Sequence, residues 1–200
     1  MNGIVEKKPA FDFFERLFHI GHVITMILLI LTGFQIHSAS FNIFGAMGNA
    51  RTVHFLCSWM FVYLGIWHIY RFFANGTFRT SMPHIIKNRK SFIEAIKYYL
   101  FMRDKPVETD KRDRKEYNEL QKLTYTAIFI LAGFQTILGF GLYWPDILAP
   151  VNALFGGLQW VRYLHYLVSW FFVFFMMVHL YLVFAEGMKL LRRMMLGKTG

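Results

Sequence analysis

Eight histidines lie in this 200-residue chain, and four of them fall in two matching stretches. "HYLVSWFFVFFMMVH" runs from His165 to His179 and "HFLCSWMFVYLGIWH" from His54 to His68, each with Ser-Trp at the fourth and fifth positions after the first histidine. A separation of fourteen residues is about 21 Å of helical rise and returns the side chain to within about 40° of the same face. Each stretch therefore presents imidazoles at two depths along one face. Neutral imidazole is the commonest protein ligand for a transition metal and suits both axial positions of a haem iron.

The segments between these histidines are made for lipid. The chain is 56% hydrophobic with 23 phenylalanines, and four runs are long enough to cross a hydrocarbon layer of about 30 Å as helices: about 17 to 36, 53 to 73, 123 to 144 and 161 to 185. Ser38-Ala39-Ser40 after the first run resembles a signal-peptide cleavage site. The apolar core before it is longer than such signals use, and we keep it as a mature span. Fold and domain content follow: an all-α membrane protein, one domain over residues 1–200, with no room for a separate soluble domain.

Charge orients the spans. Of the 22 Lys and Arg, three lie in residues 1–16, thirteen between Arg71 and Lys122, and four after residue 185. Arg51 and Arg162 alone occupy the other two connections. Cytoplasmic loops carry the excess of Lys and Arg, so both termini and the middle loop are expected inside. The net charge of +10 is accounted for by this asymmetry without a nucleic-acid partner. Within the middle loop, "KSFIEAIKYYLFM" patterns as an amphipathic helix on the inner membrane face, about 84 to 102; the charged stretch after it reads as a solvated connector.

With that orientation His54 and His165 are near the outer face, while His68 and His179 are near the inner one, together with His19 and His22 of span one. Two stacked b-type haems satisfy this arrangement. The outer pair is His54 with His165. The inner haem has His179 and three candidates for its second ligand: His19, His22 and His68. His37, at the outer end of span one, and His84, in the inner loop, read as interfacial. The single cysteine, Cys57, and the absence of C-x-x-C-H exclude covalent haem attachment, so ligation alone would hold a haem. Buried propionates need cations; Arg51 and Arg162 each precede a candidate ligand by three residues, as Arg16 precedes His19. Gly21, Gly33, Gly65, Gly139 and Gly141 are available where a flat macrocycle passes close to a helix. A rival class, a small transporter that passes protons or metal ions along its histidines, would be colourless where a cytochrome is red.

Four motifs, "ERLFH" entering span one, "ARTVH" entering span two, "YNELQK" before span three, and "VRYLH" with "VHLY" in span four, resemble those of the di-haem cytochrome b subunits of respiratory membrane oxidoreductases. That family includes the gamma subunit of formate dehydrogenase and the b-type cytochrome of nickel-iron hydrogenase, and the resemblance spans nearly the whole chain. It implies that His19 with His179 hold the inner haem and His54 with His165 the outer one, with His68 second choice to His19. At the position of His68 the hydrogenase cytochromes more often hold arginine. The resemblance further implies a quinone, menaquinone or ubiquinone, beside the inner haem near Asn118 and His179, although Leu120 replaces a glycine of the relatives. It implies an iron-sulfur subunit and a catalytic subunit as partners on the outer face, most closely those of nickel-iron hydrogenase. Formate dehydrogenase and thiosulfate or polysulfide reductases are the alternatives. The expected location is the bacterial or archaeal cytoplasmic (inner) membrane, and the expected role is electron transfer within a complex rather than catalysis by the chain alone.

Overall fold

The computed structural model describes residues 13–74, 76, 88–100, 102, 119–186 and 188–197. Seven helices occupy them: α1 (Phe13–His37), α2 (Met47–Ala74), α3 (Arg89–Tyr99), α4 (Glu119–Tyr143), α5 (Ala149–Leu154), α6 (Leu158–Glu186) and α7 (Met188–Leu196). Four of them, α1, α2, α4 and α6, are long and apolar enough to cross a membrane, and they overlap the four runs expected from the sequence. α2 begins at Met47 rather than near 53 because Gly48 to Arg51 continue the helix beyond its apolar part.

Solvent preference is inverted relative to a water-soluble bundle. Thr32 and Gln35 are 0% and 2% exposed, whereas Ile130 and Phe174 are 67% and 63% exposed. Polar side chains inside and large apolar ones outside suit a hydrocarbon surround, where the interior is the one place a polar group finds partners.

Two helical hairpins form the bundle. α1 packs along α2, with Phe18 stacked on Trp67 at 5.5 Å and Gly21 against Leu64. α4 packs along α6 through Leu138, Val161, Val168 and Phe172. At one end, two short connections close the hairpins. Gln35 holds the first: its Oε1 accepts from the Ile43 and Phe44 amides at 3.0 and 2.8 Å, and its Nε2 donates to Gly45 O at 2.9 Å. In the second, α5 leads to Gly156 and Gly157, whose φ of 86° and 96° reverse the chain into α6. We call this the short-loop end; the other, carrying α3, α7 and Arg71, is the basic end.

α3 occupies the middle of the amphipathic stretch expected over about 84 to 102; residues 84–87 and 101 lie outside the described residues. It is tied to α4, with Asn88 donating to Glu119 Oε1 at 2.9 Å and Gln121 to the Tyr99 hydroxyl at 3.1 Å. The sequence reading did not anticipate α5 or α7. Both are short, six and nine residues, below the length at which an apolar run announces a span.

Candidate functional site

Toward the short-loop end, α2 and α6 face one another through His54 and His165, whose ring centres are 6.4 Å apart. Each ring is backed by a glycine of a different helix. A Cβ on Gly33 of α1 would stand 3.5 Å from His54 Cε1, and one on Gly139 of α4 would stand 3.3 Å from His165 Cε1. All four spans therefore meet here. His54 Nδ1 is 2.8 Å from Thr32 Oγ1. Gln135, one turn before Gly139, donates its amide to His165 O at 3.0 Å. Among the described residues the Nδ1 of His165 is buried without a hydrogen-bond partner.

Toward the basic end, His19 of α1 faces His179 of α6 with ring centres 6.2 Å apart. His179 also stacks on Phe175 at 5.8 Å, and His19 Nδ1 is buried and has no hydrogen-bond partner among the described residues. Of the three residues the spacing offered to His179, the chain folds so that His19 meets it. His22 and His68 face each other instead, at 6.3 Å, while His22 Nδ1 donates to Phe18 O at 2.8 Å and His68 reaches Phe129 of α4 at 6.0 Å. His37 is stacked on Tyr166 at 3.7 Å, at the short-loop end. His84 and Asn118 lie outside the described residues.

A metal ion midway between two imidazoles, each nitrogen about 2.0 Å away, places the ring centres about 6 to 6.5 Å apart. His54–His165 and His19–His179 both meet that requirement, and both join one hairpin to the other. The His22–His68 pair has the same spacing, but it lies inside the α1–α2 hairpin. There Phe61 packs edge-on against His22 at 5.4 Å and Leu64 lies over Gly21. The two pairs that join the hairpins thus have the separation that two ligands of one iron require.

The candidate propionate partners are spread over both ends. Arg51 is exposed on the first turns of α2. Arg162 is exposed and donates to Gln159 Oε1 at 3.0 Å. Arg16 is half-buried, its guanidinium packed against Gly197 and its Nε without a partner among the described residues. Among the glycines expected to admit a flat group, Gly33 and Gly139 flank the His54–His165 pair. Gly21 accommodates Leu64, Gly141 accommodates Asn152, and Gly65 meets nothing within 4 Å among the described residues.

The family model for prokaryotic cytochrome b561 matches residues 10–197. The chain belongs to that family. Four apolar helices and this membership make it a multi-pass prokaryotic membrane protein, and haem b is the cofactor of a b-type cytochrome. It is similar to the probable Ni/Fe-hydrogenase B-type cytochrome subunit of Azotobacter vinelandii, 27% identical over 91% of this chain and 83% of that protein. It is also similar to a protein of that name in Cupriavidus necator, 26% identical over 86% of this chain and 76% of that one. A third relative, from Azospira oryzae, is named as a protein-methionine-sulfoxide reductase subunit; it is 25% identical over 84% of this chain and 86% of its own length.

The sequence reading missed the polar side chains that serve the site in this cytochrome, chiefly Thr32 and Gln135. Their signal was available: each is a hydrogen-bonding residue in the apolar part of a span, next to or one turn from a glycine.

Proposed function

We propose that this cytochrome is the membrane subunit of a hydrogenase-type complex, holding two haem b groups and linking an outer-face partner to the quinone pool. His54 and His165 hold one haem, His19 and His179 the other. The observation that carries the reading is the pair of imidazole separations, 6.4 and 6.2 Å, each bridging the two hairpins. When bound, haem b supplies a reversible one-electron change at iron; the chain supplies the ligands, their separation along α6 and a water-poor surround.

The excess of Lys and Arg at the basic end supports placing that end, with both termini, in the cytoplasm. The His54–His165 haem then lies toward the outer face, beside an iron-sulfur subunit and its catalytic subunit. The His19–His179 haem lies toward the inside, where menaquinone or ubiquinone exchanges electrons. Asn118 and His179 are the residues assigned to the quinone, and Arg51, Arg162 and Arg16 are those assigned to the propionates. Nickel-iron hydrogenase is the first-choice partner, as in the names of the Azotobacter and Cupriavidus relatives. The Azospira relative supports a second reading, in which the same cytochrome serves a protein-methionine-sulfoxide reductase. Formate dehydrogenase and thiosulfate or polysulfide reductases are further alternatives.

Purification of the chain from its native membrane tests both parts. The expected result is a red protein with a b-type reduced-minus-oxidised spectrum, about two haems per chain, and a co-purifying nickel-containing partner. A molybdenum-containing partner would replace the hydrogenase assignment. A preparation that stays colourless after haem supplementation during expression would overturn the cytochrome reading in favour of a histidine-bearing transporter.

A further inference from the structure

We propose that Thr32 is a positioning residue for His54, fixing the tautomer that keeps its proton on Nδ1 and presents a bare Nε2 to iron. The inference rests on His54 being a haem ligand. Thr32 is fully buried on α1, so its bonds are made to protein groups. Its Oγ1 is 2.6 Å from Leu28 O and 2.8 Å from His54 Nδ1. A hydroxyl has one proton and two lone pairs, and a carbonyl oxygen can only accept. Leu28 O, with Leu29 O at 3.2 Å as a weaker sharer, therefore takes the hydroxyl proton. Only lone pairs remain toward His54, whose Nδ1 must be the donor. A neutral imidazole protonated at Nδ1 has its free electron pair on Nε2, the atom a metal needs.

The next residue, Gly33, completes the grip, since His54 Cε1 lies over it. Thr32 and Gly33 thus hold one edge of the ring, one by a hydrogen bond and one by close approach. His165 and His19 lack that hydrogen bond, because the Nδ1 of each is buried without a partner among the described residues. The two haem sites are consequently unequal in a way that can be measured. An acceptor on Nδ1–H raises the basicity of Nε2, which favours ferric over ferrous iron and lowers the potential of the haem that His54 holds.

The experiment uses the full-length cytochrome with its haems, carrying Thr32→Val or Thr32→Ser. Valine keeps the shape and removes the hydroxyl; serine keeps the hydroxyl. Redox titration of the two b components and haem retention under dilution are read together. Thr32→Val is expected to raise the midpoint potential of one component, leave the other in place, and weaken haem retention at that site by about 10- to 100-fold. Thr32→Ser is expected to stay at the wild-type values. Should Thr32→Val fail to accumulate, Thr32→Cys, whose sulfur is a weaker acceptor, is expected to give an intermediate upward shift. The proposal is overturned if Thr32→Val, or Thr32→Cys in its place, leaves both potentials and retention unchanged, or if Thr32→Ser shifts them as far. Failure of the underlying reading looks different: His54→Ala would then keep both haems and both potentials.

Discussion

The imidazole of His165 lies against Gly139, where an added Cβ would stand 3.3 Å from the ring's Cε1. Such a contact forces the ring to give way by a few tenths of an ångström, and the ring is the group that would bind iron. Gly139→Val is expected to reduce haem content from about two to about one per chain. Gly139→Ala should bind both haems with an altered spectrum for one. Gly33→Ala, with ordinary contact at 3.5 Å, should be milder, and Gly65→Ala, with nothing within 4 Å among the described residues, should be silent. Haem quantitation with reduced-minus-oxidised spectra checks the ranking; equal effects at Gly65 and Gly139 would sink it.

Asn152 makes a second test, of stability rather than of the site. It is buried, donates from Nδ2 to Gly141 O at 3.0 Å, and has no partner for its own Oδ1 among the described residues. Asn152→Ala orphans the carbonyl but also removes the unsatisfied oxygen, so the two effects oppose. The net loss should be small, about 1 kcal/mol, or about 2–4 °C in thermal midpoint for a chain of this size. Gly141→Ala should cost more, because its Cβ collides with Asn152 Oδ1. Thermal unfolding in detergent, followed by far-ultraviolet circular dichroism, separates the two.

How much was legible in the sequence depended on the length scale of the signal. The four spans were legible because lipid demands about twenty consecutive apolar residues and tolerates few exceptions. The facing of His54 and His165 followed from helix direction and rise. Which imidazole meets His179 did not, because His19, His22 and His68 are at similar depth and only the azimuth of each helix distinguishes them. His22 follows His19 by three residues, about 300° around the helix, so a rotation of α1 by about 60° would bring His22 to the azimuth that His19 now holds. That azimuth is set by details such as Leu64 seating on Gly21 and Phe18 stacking on Trp67. Thr32 escaped notice for a related reason: a threonine in a membrane helix commonly bonds its own preceding turn, and its second bond to His54 exists only once α1 and α2 have docked.

Gln35 organises the short-loop end from inside the bundle. Its side chain serves the amides of Ile43 and Phe44, the carbonyl of Gly45, and Asn42 Oδ1 at 3.2 Å. Gln35→Leu keeps the volume and removes all four bonds. Because Ile43 and Gly45 are exposed, water recovers part of the loss, and the expected cost is about 1–3 kcal/mol. Gln35→Glu keeps the two accepted bonds and should lie between. The clearest reading is protease nicking in the connection 38–46, which should rise in the order wild type, Gln35→Glu, Gln35→Leu while the haem spectrum holds.

The sharpest test of the site sets its two kinds of basic-end histidine against each other. His19 and His179 bridge the hairpins, while His22 and His68 face each other within one hairpin. His19→Ala or His179→Ala should each remove one haem and leave the component held by His54 and His165 with its own spectrum and potential. The double variant His22→Phe with His68→Phe should retain both haems, since phenylalanine fills the space beside Phe61 and Phe129 without offering a ligand. If His68→Phe alone removes a haem while His19→Ala does not, the basic-end site belongs to His68. In that case α1 would have to turn or slide on α2 when the cofactor binds, because His19 is the imidazole that now faces His179. Comparing Phe18–Trp67 proximity by crosslinking with and without haem would then detect the movement directly.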